Sequence, residues 1–254
     1  MSETNETMRI ALVMGATGAV GKAVLKDLLL NSTYAKVVIV GRRAAELSND
    51  IPQEKLVQKT VDFENLEQHR EAFRGVNDVY CCLGTTRADA GGAAQFKKID
   101  QGYVVNSAKI IAEENPAKTQ GETVSPIHFL YCSSASANKN SLFLYIQTKG
   151  ETEDRLSNLG FQRVSIFRPG LLELEEPRSR PRFAETIFAT IFSPINRTLG
   201  LHMAAQVGAV ARAMRKVAND DPKLQGLIDK KKATSESGSQ VTIYSNKDID
   251  MLNE

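Results

Sequence analysis

The short apolar run Ile10-Ala11-Leu12-Val13-Met14 is followed at once by Gly15-Ala16-Thr17-Gly18-Ala19-Val20-Gly21, in which glycines recur every third residue. No other feature restricts the fold of this chain as much. A continuous apolar run of that length suits a strand covered on both faces of a parallel sheet, and 20–30 carries apolar side chains at helical spacing. Lys-Val-Val-Ile-Val at 36–40 returns to a β-branched run and closes one βαβ unit. The alternation continues with strands expected at 56–61, 78–82, 127–132 and 163–167, and helices at 64–73, 93–114 and 142–159. This order predicts an α/β, doubly wound parallel sheet of the Rossmann kind.

Composition sets the outer bounds. With 254 residues, 42% apolar and 24% charged, the chain has the makings of one compact core. A net charge of +2 is too small for a whole-protein field that would attract nucleic acid, so no direct nucleic-acid partner is expected. No stretch approaches the roughly 20 uninterrupted apolar residues of a bilayer-spanning helix. The acidic start Met1-Ser-Glu-Thr-Asn-Glu-Thr resembles neither a signal nor a transit peptide, which leads to the expectation of a cytosolic or nuclear protein. Cys81, Cys82 and Cys132 are too few and too badly spaced for a zinc site or a disulfide framework and read as buried thiols. His69, His128 and His202 show no ligand spacing, so no metal is expected.

Residues 8–218 read as one domain whose substrate-side elements begin near 171, and 219–254 as a C-terminal extension with a flexible loop and a strand-like segment at 241–244. Residues 115–126, polar and with two prolines, read as a surface loop. Beyond 167 the alternation weakens: 173–182 is rich in charge and proline, 183–192 looks amphipathic, and 204–217 has helical spacing. Residues 230–240 combine a lysine run with a polar, serine-rich stretch, a composition that favours a flexible excursion.

The glycine spacing has chemical as well as structural content. A dinucleotide pyrophosphate needs close backbone approach, which residues without a Cβ permit, and unpaired N–H groups at a helix N-terminus to receive its charge. Gly15, Gly18 and Gly21 supply both, with Thr17, Ala19 and Val20 in the same turn. Sites that prefer NAD carry an acidic residue about 20 positions further on, at the end of the second strand. Here Gly41-Arg42-Arg43 stands at that place, and a guanidinium can pair bidentately with a 2′-phosphate. Arg42 and Arg43 thus point to NADP(H).

Tyr145 and Lys149 lie at i and i+4 of an expected helix, on one face. Cys132-Ser133-Ser134 ends the preceding strand, where open parallel sheets place their ligands. A nearby ammonium lowers the phenol pKa of a tyrosine from about 10, so Tyr145 can exchange a proton near neutrality while Ser134 binds the reacting oxygen. Ser133 is the alternative serine. This set expects hydride transfer to a carbonyl compound, with Tyr145 as proton donor.

Together, Gly-Ala-Thr-Gly-Ala-Val-Gly, Val40-Gly-Arg-Arg43, Val61-Asp62-Phe63, Cys82-Leu-Gly-Thr-Thr-Arg87, Ser133-Ser134, Phe143-Leu-Tyr145 with Lys149-Gly-Glu151, and Phe167-Arg-Pro-Gly170 resemble the Tat-interacting oxidoreductase family of atypical short-chain dehydrogenases. The similarity runs from about residue 10 to 217, and Cys-Leu-Gly-Thr-Thr-Arg is its most specific run. The resemblance implies that Asp62 neighbours the adenine, that Gly84 and Thr85 line the cofactor, and that Pro169, Gly170 and Leu171 approach the nicotinamide. It also implies a second reading, an NADPH-binding regulatory protein with protein partners in transcription, nuclear transport or apoptosis. Fungal proteins that resemble the family are associated with the mitochondrial outer membrane, which adds peripheral membrane attachment as a third placement.

Overall fold

The computed structural model describes residues 8–117, 119, 121–173, 204–221, 226 and 231–254. Strand β1 (Ile10–Met14) leads through helix α1 (Ala19–Asn31) to β2 (Lys36–Gly41) and β3 (Leu56–Thr60). A 3-10 helix at Leu66–Phe73 precedes β4 (Asp78–Cys81), which is followed by the short helices α2 (Arg87–Ala90) and α3 (Ala93–Lys97). A π-helical turn at Lys98–Tyr103 joins α3 to α4 (Val104–Glu114). Strand β5 (Ser125–Cys132), helix α5 (Leu144–Ser157) and strand β6 (Phe161–Arg168) complete the alternating part. Then come β7 (Leu171–Glu173), β8 (Ala204–Gln206), α6 (Val207–Ala218), β9 (Lys232–Thr234), β10 (Gln240–Ser245) and α7 (Asn246–Met251).

Among the described residues the main sheet has the order β3-β2-β1-β4-β5-β6-β10-β9, and β7 and β8 form a separate pair. Every pairing in the main sheet is parallel except β10 with β9. This is the expected doubly wound arrangement. Alternation along β1 divides the core into two layers, as a period of two requires. Ala11 and Val13 face the side packed by Leu25 and Leu28 of α1 and Val210 and Met214 of α6, whereas Leu12 and Met14 face Phe73, Val104 and Ile111. Helices cover both faces, which is why the strands read as continuous apolar runs. No described helix is long and apolar enough to cross a membrane.

Several elements differ from expectation. The helix expected at 93–114 is broken by the π turn, which a single helical period cannot announce. Residues 204–206 begin the helical stretch as strand β8. Residues 240–245, set apart as part of an extension, pair with β6 along their whole length and belong to the main sheet. The stretch expected as a flexible excursion supplies β9 and a turn closed by Ser235 N–H on Ser239 O at 2.9 Å. The amphipathic segment at 183–192 and all but residue 173 of the charged segment lie outside the described residues.

Candidate functional site at the carboxyl ends of the strands

From β1 the chain moves outward to β2 and β3, then returns to β4 on the other side of β1 and continues to β5 and β6. The two halves diverge between β1 and β4, and such a switch point leaves a crevice beyond the carboxyl ends of the strands. The glycine turn stands at its mouth. Gly15 adopts φ +84°, and a Cβ there would come within 2.6 Å of the Cys82 carbonyl oxygen. A Cβ on Gly21 would lie 2.1 Å from the Gly15 carbonyl oxygen, so the packing of α1 against its own turn requires both residues. Gly18 is different: a Cβ there meets only the Gly15 oxygen, at 3.4 Å. Beyond its chain neighbours, no other described protein atom lies within 4 Å of that position. The first turn of α1 holds no acidic residue and receives no side-chain cap, so its N–H groups, which a helix cannot pair internally, face the crevice without a competing carboxylate. Thr17 and Gly18 are exposed, Ala19 is half-buried, and Val20 and Gly21 are buried. These residues fit a dinucleotide phosphate.

Arg42 and Arg43 follow β2 and are both exposed. Asp62, also exposed, turns its carboxylate back on its own loop, accepting the Glu64 N–H at 2.9 Å and the Asn65 amide at 2.7 Å. Those two bonds, the backbone one first, hold the Asp62 carboxyl below its ordinary range. Nearby, Phe63 stacks on Tyr103 with ring centroids 5.2 Å apart, and the Tyr103 hydroxyl donates to Glu64. Burial, then that bond, pushes the Tyr103 phenol up to about 12, while the charge of Arg42 acts in the opposite sense.

Helix α5 carries Tyr145 and Lys149 one turn apart, with Tyr145 42% exposed and Lys149 4% exposed. Gly150 lets this helix seat against the loop before it, since a Cβ there would fall 2.2 Å from the Lys139 nitrogen. Beneath Tyr145 the Lys149 ammonium stands 2.8 Å from Asp100 Oδ1 and donates to the Tyr131 hydroxyl at 3.2 Å. Burial pushes Lys149 toward its neutral form, but Tyr131, Asp100 and Tyr145 outweigh it and hold the ammonium well above its ordinary value. Asp100 Oδ2 accepts the Thr85 N–H at 2.7 Å, which ties the 84–85 backbone to the same cluster.

Ser134 is half-buried with its Oγ 3.5 Å from that of Ser136, whereas Ser133 is buried and its Oγ has no hydrogen-bond partner among the described residues. Thr148, next to Lys149, has a buried hydroxyl in the same condition. Pro169, Gly170 and Leu171 lead from β6 into β7, and the Gly170 N–H donates to Asn246 Oδ1 at 2.6 Å. The cysteines are free, and burial pushes the thiols of Cys81 and Cys132 up to about 12 and about 11, where they pack as protonated groups.

Sequence reasoning missed Asp100 and Tyr131. A signal for Asp100 existed: it lies four residues after the buried Phe96 and four before the buried Val104, so it is a charged residue on the apolar stripe of a helix. Tyr131 gave no such signal, because an aromatic residue inside a buried strand is ordinary.

Residues 15–190 match the NAD(P)H-binding domain family. The chain is 38% identical over 202 residues to Protein HTATIP2 of Rattus norvegicus, covering 80% of this chain and 78% of that protein. It is also 33% identical over 206 residues to Protein fmp52, mitochondrial, of Aspergillus niger, covering 79% and 83%. Among solved structures it resembles MoeE5 in complex with UDP-glucose and NAD, with a TM-score of 0.60, 16% identity, and 95% and 80% of the two chains covered. A short-chain type dehydrogenase/reductase from Mycobacterium ulcerans gives a TM-score of 0.59 at 18% identity, covering 95% and 90%. At such identities these two likenesses speak to the fold. The glycine turn, the switch-point crevice and the match with HTATIP2 along most of both chains together place this protein in the Tat-interacting oxidoreductase family, atypical short-chain dehydrogenases built on an NAD(P)H-binding Rossmann domain.

Proposed function

We propose that the protein is an NADPH-dependent oxidoreductase that reduces the carbonyl group of a small molecule, with Tyr145 as proton donor. The observation that carries this reading is the exposed Tyr145 on the same helical face as the buried, charge-paired Lys149. A residue with only a packing role has no need of a buried ammonium one turn away.

A bound NADPH supplies the hydride. Gly15, Thr17, Gly18, Ala19, Val20 and Gly21 would hold its pyrophosphate, and Arg42 with Arg43 its 2′-phosphate. Asp62, Gly84, Thr85, Tyr145, Lys149, Pro169, Gly170 and Leu171 line the remainder of the proposed cleft, where the Lys149 ammonium would also bind the cofactor. Tyr145 gives its phenolic proton to the carbonyl oxygen as negative charge gathers there. Lys149 favours the phenolate that remains, because a cation beside a phenol stabilises its ionised form. Ser134 donates a hydrogen bond to the same oxygen and orients it, with Ser133 as the other serine within this loop. General-acid participation of this sort contributes about 10²–10⁴-fold in rate.

The test is NADPH oxidation across a panel of ketones and aldehydes, with cofactor affinity measured alongside. Turnover that drops about 10²-fold or more in Tyr145→Phe at unchanged NADPH affinity supports the reading. Equal turnover in the variant removes Tyr145 as proton donor. Tight NADPH binding with no turnover anywhere in the panel favours a cofactor-binding regulator instead.

A further inference from the structure

Asp100 has no task in the reaction just described, yet its side chain is fully buried at the centre of the site. A carboxylate in that setting is costly unless a charge and hydrogen bonds compensate it. Its two oxygens divide that work. Oδ2 accepts the Thr85 N–H at 2.7 Å, and Oδ1 has the Lys149 ammonium at 2.8 Å and no other hydrogen-bond partner among the described residues. The pair lies against the backbone at Gly84, where a Cβ would meet Lys149 Nζ at 3.3 Å and Asp100 Oδ1 at 3.4 Å. The π turn that carries Asp100 is tied to α5 as well, through the Thr152 hydroxyl on the Asp100 carbonyl at 3.4 Å.

We propose that Asp100 is a positioning residue: anchored by the Thr85 N–H, its carboxylate fixes where the Lys149 ammonium stands and supplies its counter-charge. The groups that face Lys149 are Asp100 from the π turn, Tyr131 and Cys132 from β5, Cys81 from β4, Cys82 just after it, and Tyr145 from α5. Asp100 is the only carboxylate among them. Burial alone drives the ammonium toward its neutral form, so removing that carboxylate has a signed consequence: Lys149 gives up its proton at lower pH. With Tyr131 and Tyr145, Asp100 therefore holds Lys149 as a cation. The proposal rests on the reading that Lys149 serves the bound cofactor and Tyr145.

Asp100→Asn retains an oxygen for the Thr85 N–H and removes the charge. NADPH affinity, read by cofactor fluorescence, is measured for the wild type, Asp100→Asn and Lys149→Met from about pH 6.5 to pH 9.5, with carbonyl turnover at each point. The wild type is expected to hold its affinity throughout. Asp100→Asn should bind like it at the acid end and weaken by about tenfold for each pH unit above the lowered lysine pKa. Lys149→Met should bind weakly with no slope. An Asp100→Asn profile parallel to the wild type, whether equal or uniformly lower, overturns the proposal.

The binding measurement needs no substrate. Absence of turnover in all three proteins therefore counts against the catalytic reading alone, and a flat Asp100→Asn profile beside active wild type counts against Asp100 alone. If Asp100→Asn does not fold, the Asp100→Asn/Lys149→Met double variant removes both buried charges together. Recovery of a folded protein then supports the pairing, and failure to recover overturns it.

Discussion

The two ends of the main sheet both bury charge, but they leave it in different conditions. At the amino ends of the strands, Asp78 is 2% exposed and accepts from Arg9 at 2.7 Å. The same guanidinium donates to the Ala218 carbonyl at 2.9 Å and lies 5.2 Å from the centre of the Tyr34 ring. Tyr34 and Tyr80 share a hydrogen bond at 3.0 Å, and His128 Nε2 bonds Ser165 at 2.8 Å. Among the described residues this end is closed upon itself apart from His128 Nδ1, which lies 3.7 Å from Asp78 Oδ1. At the carboxyl ends, among the described residues, the first turn of α1 is uncapped, Ser133 and Thr148 have hydroxyls without partners, and Tyr145 stands exposed over a buried ion pair. A buried charge does not by itself mark a place of chemistry. Open donors beside the charge are the groups that the proposed ligand would complete.

The largest expected effect lies in the turn that opens the carboxyl end. Gly21→Ala places a Cβ 2.1 Å from the Gly15 carbonyl oxygen, and we expect a loss of about 3 kcal/mol or more in denaturant unfolding. Gly18→Ala, with its ordinary contact, should keep its stability and lose cofactor affinity. Equal stability losses at the two positions would break the distinction between a glycine needed by the fold and one needed by the ligand.

Next in size is cofactor choice. Changing Arg42 and Arg43 together to glutamate should reduce the preference for NADPH over NADH by about 10–100-fold, as expected when charge-assisted bonds to a phosphate are replaced by repulsion. Calorimetric titration with both cofactors reads this directly, and an unchanged ratio would remove both arginines from the site.

The smallest effect belongs to the closed end. Burial, and then the charges of Arg163 and Arg9, keep His128 neutral in the fold well below its ordinary 6.5. The unfolded chain therefore binds the additional proton as pH falls below about 6.5, and stability should decline by at most about 1.4 kcal/mol per pH unit there. In His128→Gln the decline of Tm between about pH 6.5 and pH 5 should become shallower, while kcat at neutral pH stays unchanged. An identical slope would place the acid sensitivity elsewhere.

Much of the carboxyl end was legible in the sequence because its signals are local. A strand, three glycines and a helix occupy consecutive positions, and Tyr145 and Lys149 share one helical face by spacing alone. The position of the arginines at 42 and 43, straight after β2, was readable for the same reason. Asp100 was not, since its meaning depends on Lys149, 49 positions away, and on a π turn that rotates the helix mid-course. The amino-end network was equally hidden: Arg9, Asp78, His128 and Ser165 come from four different strands or their edges, and nothing in their separate neighbourhoods brings them together. Strand β10 was recognised as strand-like, but its place beside β6 follows from packing across a long connection rather than from any run of residues.

The most direct test sets one variant from each end side by side. Tyr145→Phe and Asp78→Asn are compared for Tm and for the rate of hydride transfer from bound NADPH to a carbonyl substrate. The account predicts that Tyr145→Phe slows transfer by about 10²-fold or more at unchanged Tm, and that Asp78→Asn lowers stability by about 1–3 kcal/mol at unchanged transfer rate. Transfer that survives in Tyr145→Phe, or that is lost in Asp78→Asn while the protein remains folded, would contradict it.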